Sequence, residues 1–322
     1  ALVPTSSIYP LAEVVNEHRI FLPYMGVAFA MILWLDEILI RNRRVFAFIV
    51  VAAITALGVG TWVRNEAWAT EETLWKDTIE KSPGNGRALF SYGLSQMVKG
   101  NYAVAKNYYE RAERISPDYA PLEINLGIVE GALSNEAAAE KHFKYALAIR
   151  DDVDGHFYYG RWLISAGRAP EAIAELTTAS RIDAARPEPR ALLMKLYAAA
   201  GNASEVERLA RLALSYDPRD PRALSARAGS ISACRNYREC FDQGLPEIGG
   251  KQFLDAALSN REALRHDPNA ADAWTNLGWS LAQIGLNDEA EKAFRRAVEL
   301  KPGDEHARSN LEWLRRVKGN QR

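Results

Sequence analysis

Apolar positions divide the chain into two regimes. Phe21 to Ile40 is an apolar run broken only by Asp36 and Glu37, and Val45 to Val63 is a second run with no charge at all. Each has about the 20 residues that an α-helix needs to cross a hydrocarbon core roughly 30 Å thick. Two buried helices of a large soluble core are the alternative, but a stretch that is apolar all round has no polar face to turn to water. The pattern therefore predicts two transmembrane helices, 21–40 and 45–63, behind an extracytoplasmic loop 1–19. After residue 63 the spacing becomes amphipathic. Glu66 to Lys81 predicts one helix, with Leu74, Trp75, Thr78 and Ile79 on a single face, inside a connecting segment 64–85.

From residue 86 the pattern repeats with a period near 34. Gly93, Gly127 and Gly160 fall 34 and 33 apart, and Pro83 and Pro117 fall 34 apart. The clearest unit, 271–304, carries Trp274, Leu277, Gly278, Leu281, Gly285, Ala290, Phe294, Ala297 and Pro302. This spacing resembles the tetratricopeptide repeat, in which two antiparallel helices pack large residues against small ones and end at a proline that cannot continue the helix. The frame recurs over 86–119, 120–152, 153–186 and 187–220, with Met194 standing where the others have a small residue. Pro218 to Pro268 is 50 residues, so an insertion is expected near 236–250. Residues 305–322 should form a polar capping helix over the last repeat. The fold class expected is all-α: two transmembrane helices followed by a tetratricopeptide-repeat α-solenoid of about six helix pairs across 86–304.

Composition narrows the chemistry. Forty basic residues stand against forty-one acidic ones in 322, a net charge of −1, and they are scattered. No broad electrostatic footprint for nucleic acid results, so none is expected as a partner. Two cysteines exclude a disulfide-framework fold and a four-cysteine zinc site. The basic residues do cluster once, at Arg41, Arg43 and Arg44 between the apolar runs. Cytoplasmic loops carry such excesses. This places the loop inside and the repeats on the extracytoplasmic, periplasmic or lumenal side. No charged segment of signal-peptide type leads into Phe21, and the chain reads as a processed piece of something longer.

Two further segments carry a resemblance. Residues 6–23 include Glu17, His18 and Arg19 followed by Ile20, Phe21, Leu22 and Pro23. Residues 64–87 contain Arg64, Asn65, Trp68, Glu71, Leu74, Trp75, Pro83, Asn85 and Arg87. Together they resemble the end of the membrane domain in the transmembrane-and-tetratricopeptide-repeat protein O-mannosyltransferases of the GT-C class and their bacterial relatives. That resemblance implies a multi-spanning glycosyltransferase domain followed by a lumenal or periplasmic repeat array, using a polyprenyl-phosphate sugar donor. The catalytic carboxylate of such enzymes lies in the first extracytoplasmic loop, which nothing here supplies. The chain is therefore expected to be the C-terminal portion, inactive alone, with no catalytic residue and no cofactor of its own.

The residues leave several sites open. Glu17, His18, Arg19 and Arg64 fit ordinary interfacial anchors as well as ligands of a lipid-linked phosphate; the resemblance favours the phosphate. Cys234 and Cys240 are disulfide candidates in an oxidising compartment, or two reduced thiols. No histidine pair has ligand spacing, so no metal site is expected. Arg87, Phe90, Leu94, Phe157, Arg161, Lys195, Arg222, Thr275 and Trp279 fall on first helices, which line the concave face of such arrays. They either bind a protein or peptide partner or fill the superhelix. Two functions follow. One is the membrane and repeat portion of a protein glycosyltransferase, touching membrane lipid and holding acceptor or partner in the groove. The other is a non-catalytic membrane-anchored scaffold for assembly.

Overall fold

The computed structural model describes residues 43–227, 236–249 and 252–320. Among them are sixteen α-helices and no strand. The chain divides into two compact units, Ala1–Pro117 and Asp118–Arg322.

In the first unit, α1 spans Arg43–Ala67. Its 25 residues make a rod of about 37 Å at 1.5 Å per residue. One helix among the described residues is long and apolar enough to cross a membrane, by length and composition, over Ala47–Ala67. Phe48, Leu57 and Trp62 on it are exposed. Its hydroxyls find partners inside the helix: Thr55 Oγ1 donates to the Val51 carbonyl and Thr61 Oγ1 to that of Leu57, each at 2.8 Å. A helix in lipid must satisfy its polar groups this way. The first expected span, 21–40, lies outside the described residues.

The single helix predicted from Glu66 to Lys81 is two. α1 ends at Ala67, and α2 starts afresh at Glu71–Lys81. Thr70 makes the break. Its side chain accepts from the Thr73 N–H while Thr73 Oγ1 accepts from the Thr70 N–H, both at 3.1 Å. A reciprocal cap of this kind starts a helix more firmly than propensity continues one. α2 packs on α3 (Gly86–Val98), which pairs with α4 (Tyr102–Ile115). Glu72 ties α2 to α3 by accepting from Gln96 Nε2 at 2.7 Å and by an ion pair with Lys99.

The second unit continues with α5 (Ala120–Ala132), α6 (Glu136–Ile149), α7 (Val153–Ser165), α8 (Ala169–Ile182), α9 (Pro187–Ala200) and α10 (Ala203–Tyr216). Then come α11 (Pro221–Arg227), α12 (Tyr237–Gly249), α13 (Phe253–His266), α14 (Ala271–Gln283), α15 (Asn287–Leu300) and α16 (Glu305–Asn320). Helices α5–α6, α7–α8, α9–α10, α12–α13 and α14–α15 form antiparallel pairs, as α3–α4 does in the first unit. α16 covers α14 and α15, burying Ala307, Leu311 and Leu314.

One device closes the pairs. A residue on the first helix meets the residue sixteen places on, in the second. A Cβ at Gly127 would lie 2.9 Å from Phe143, at Gly160 2.9 Å from Leu176, and at Gly278 2.7 Å from Phe294. Within the first unit the equivalent distance from Gly93 to Tyr109 is 2.7 Å. The fourth pair exchanges the sizes: Met194 is large, Ala210 is small, and both are buried in one cluster. Such a swap conserves volume, the kind of change cores tolerate best.

The same device corrects the expected insertion. Gly244 on α12 faces Asn260 on α13, with a Cβ at Gly244 falling 2.5 Å from Asn260 Nδ2. Tyr237–Gly249 therefore supplies the first helix of an ordinary pair. The surplus helix is α11, which packs on α10 and α9 and has no second helix of its own among the described residues.

Candidate functional site

Beyond α11 the helices do not contact sequence neighbours alone. After it, α13 packs against α9 as well as against α14, so the later run of helices folds back over the earlier one. Leu193 and Leu196 of α9 lie in one buried cluster with Leu254 and Leu258 of α13, and three polar contacts add to the return. Lys195 Nζ on α9 donates to Asp255 Oδ1 on α13 at 2.7 Å. Arg261 Nε donates to the Ala199 carbonyl at 2.8 Å, and burial holds its guanidinium below its ordinary pKa. The Ala169 N–H donates to the Ile284 carbonyl at 2.9 Å. This last contact joins the turn before α8 to the turn before α15, and it needs glycine on both sides. Gly167 and Gly285 have φ of +73° and +81°, and a Cβ at Gly285 would lie 1.8 Å from the Gly167 carbonyl oxygen.

Between the two runs lies a cleft of about 540 Å³. Trp162, Ile164 and Leu192 wall it from α7 and α9; Phe253, Leu254 and Ile284 wall it from the returning run. Arg161 stands at its rim, exposed, its guanidinium over the rings of Phe157 at 5.7 Å and Tyr158 at 5.8 Å. Asp255 and Glu136 also reach the cleft. A hollow lined by both apolar side chains and polar or charged ones suits a polypeptide segment with apolar side chains and a polar backbone.

The wall is braced by charge. Arg168 grips Glu140 through two hydrogen bonds, 2.7 and 3.1 Å, and Glu171 through two more, 2.6 and 2.5 Å. Hydrogen bonds from Arg168, then Lys144, hold the Glu140 carboxyl down at about 2. His142 Nδ1 lies 2.7 Å from Glu123, a buried carboxylate on α5, so this histidine ties α6 to α5 instead of facing water freely. His156 sits between Glu175 at 2.5 Å and Asp151 at 2.7 Å.

The expected groove residues have separate fates. Arg161 and Lys195 come to the cleft, Lys195 through Asp255. Phe157 is buried beneath Arg161 and Arg186. Thr275 donates its hydroxyl to the Ala271 carbonyl at 3.1 Å, and Trp279 packs on Trp313 at 5.4 Å. Arg222 lines a second hollow of about 370 Å³ with Arg190, which is buried over the Tyr216 ring at 5.0 Å. In the first unit Arg87 and Leu94 are exposed and Phe90 leans on Tyr109 at 5.8 Å. Glu17, His18, Arg19 and Cys234 lie outside the described residues, as does the side chain of Arg64. Cys240 is fully buried in α12, and no described cysteine is free. Sequence reasoning missed Phe253, Leu254, Asp255 and Ile284, whose only signal was the distance of Gly244 from Gly278, one repeat period.

The repeats match known proteins in the same frame. One family model, tetratricopeptide repeat, matches residues 72–120 and 244–305, and a second of the same description matches 163–229. The chain is a tetratricopeptide-repeat protein. The chain is also similar to the protein O-mannosyl-transferase TMTC3 of Homo sapiens, 23% identical over 307 residues that cover 93% of this chain and 30% of that protein. With the protein O-mannosyl-transferase Tmtc2 of Drosophila melanogaster it shares 26% identity over 309 residues, 93% of this chain and 32% of the relative. The tetratricopeptide-repeat chain thus spans about a third of the length of these curated relatives. Among solved structures it is similar to TTC0263, a thermophilic tetratricopeptide-repeat protein of Thermus thermophilus. That likeness has a TM-score of 0.43 and 22% identity, over 54% of this chain and 96% of the other.

Proposed function

We propose that this chain is the membrane and repeat portion of a protein glycosyltransferase that uses a polyprenyl-phosphate sugar, and that its repeats hold the acceptor or a partner protein. The observation that carries the binding role is the cleft beside Arg161, lined by Trp162, Ile164, Leu192, Phe253 and Leu254 together with Arg161, Glu136 and Asp255. The similarity to protein O-mannosyl-transferases supports the transferase setting. In this reading Arg41, Arg43 and Arg44 keep their loop in the cytoplasm and the array works outside it. Glu17, His18, Arg19 and Arg64 then stand where a lipid-linked phosphate would be held, and arginine's planar fork suits that group. Cys234 and Cys240 form a bridge there, since an oxidising compartment permits one.

A display library of short peptides selected against the full chain in lipid nanodiscs tests the binding role. Selected peptides should lose at least tenfold in affinity for Arg161→Glu and for Leu192→Asp. Undiminished binding to both variants would remove the cleft as the binding site and favour the scaffold reading, with recognition on another face.

A further inference from the structure

Arg190 is a buried cation without an anion. It is the fourth residue of its repeat, and the fourth residues of other repeats in the second unit have their partners. Glu123 meets His142 at 2.7 Å, His156 meets Glu175 at 2.5 Å and Asp151 at 2.7 Å, and Trp274 Nε1 donates to the Pro268 carbonyl at 2.8 Å. Arg190 is only 1% exposed. Its Nη1 donates to the Ala184 carbonyl, and one face of its guanidinium lies over the Tyr216 ring at 5.0 Å. Its Nε has no hydrogen-bond partner, and no carboxylate among the described residues forms an ion pair with it. Residues 228–235, the stretch between α11 and Asn236, contain no Asp or Glu.

This side chain lines the hollow of about 370 Å³, together with Pro187, Tyr216, Pro221 and Arg222. Asp217 and Asp220 line it too, but they serve the turn into α11. Asp217 Oδ1 accepts from the Arg219 N–H and Asp220 Oδ1 from the Arg222 N–H, each at 2.9 Å. The hollow shares no lining residue with the cleft beside Arg161.

We propose that this hollow binds a small organic carboxylate, with Arg190 as the group that holds its charge. A buried ion without a partner is costly, and a ligand carboxylate removes that cost. The planar guanidinium fork matches a carboxylate. Tyr216 covers a face of the guanidinium and leaves its N–H edge to the ligand, while Pro187 and Pro221 offer apolar wall to the ligand's body. The volume suits a small molecule. Asp217 and Asp220 in the same hollow repel a doubly charged phosphate more than a singly charged carboxylate, which selects between the two anions.

The test titrates the full chain in lipid nanodiscs with sodium propionate, at an ionic strength held constant with sodium chloride, by isothermal titration calorimetry. Saturable heat at one site per chain is expected, with slower hydrogen exchange over residues 184–190 and 213–223. Inorganic phosphate should bind at least tenfold more weakly. Arg190→Met should abolish binding, and Arg190→Lys should keep part of it. Arg222→Glu, an exposed change that adds a third carboxylate to the hollow, should weaken binding by about threefold, the scale of a surface charge. Without propionate, Arg190→Met should melt no lower than the unaltered chain, because an apolar side chain replaces an unpaired buried charge. No saturable heat, binding that survives Arg190→Met, unchanged affinity in Arg222→Glu, or phosphate binding as tightly as propionate would overturn the carboxylate site. A lower melting temperature for Arg190→Met would show that Arg190 is satisfied inside the fold, and would overturn it as well.

Discussion

Exchanging the sizes of Gly278 and Phe294 tests the rule that shapes every helix pair. A Cβ at Gly278 would lie 2.7 and 2.8 Å from the edge of the Phe294 ring, where ordinary contact is 3.4–4 Å. Phe294 is fully buried and its ring cannot retreat. Gly278→Met should therefore cost about 1–3 kcal/mol by overpacking, less the ~0.5–1 kcal/mol gained by removing glycine from a helix interior. Phe294→Ala alone should cost about 3–5 kcal/mol through the cavity it leaves. The double variant recreates the Met194 and Ala210 arrangement of the fourth pair, and should cost less than the two singles together by about 2 kcal/mol, within the range for residues in contact. Urea unfolding of the full chain in detergent, followed by circular dichroism, measures the cycle. Hydrogen exchange over 271–304 locates the effect. Gly319→Ala serves as control, because nothing lies within 4 Å of its new Cβ. Additive costs in the double variant would show that residues sixteen apart are not the unit of packing.

Other outcomes are expected from particular groups. Asn260 is fully buried, and its Oδ1 has no hydrogen-bond partner among the described residues; Asn260→Leu should raise stability by about 1 kcal/mol by removing an orphaned acceptor, and a lower melting temperature would show that the carbonyl has a role. Glu140 has a folded pKa of about 2 against an ordinary 4.5, so its contribution is present above 4.5 and lost as pH falls toward 2. The melting gap between the unaltered chain and Glu140→Gln should shrink across that window, and a constant gap would contradict the Arg168 grip. Alkylation followed by mass measurement should find Cys234 and Cys240 blocked until reductant is added; labelling without reductant would exclude the bridge. Arg19→Ala in the longer protein should lower sugar transfer at equal abundance, with Arg19→Lys rescuing it in part; equal activity of all three would remove Arg19 from the donor site.

The helix pairs were legible because their determinant is local: a small residue and a large one sixteen places apart, ended by proline or by a turn. Gly93, Gly127, Gly160 and Gly278 displayed it openly. The fifth pair was hidden by its chemistry, since Asn260 occupies the place of an aromatic and so drew no notice, although Gly244 stands 34 residues before Gly278. The break at Thr70 was missed because a capping pair of two threonines overrides a continuing amphipathic pattern. The cleft was only half legible. Arg161 and Lys195 belong to a recognisable frame, but Asp255 reaches Lys195 only because α13 packs back on α9, and contacts 60 residues apart leave no periodic trace.

Acceptor kinetics of the longer protein give the most direct measurement of what the array does. Sugar transfer to an acceptor protein would be followed for the unaltered enzyme, Arg161→Glu and Leu192→Asp, with donor and acceptor concentrations varied separately. If the cleft holds the acceptor, KM for acceptor rises at least tenfold in both variants, while kcat and KM for the polyprenyl-phosphate donor stay as they were. An unchanged acceptor KM, or a loss confined to the donor, would contradict the assignment of acceptor binding to the repeats.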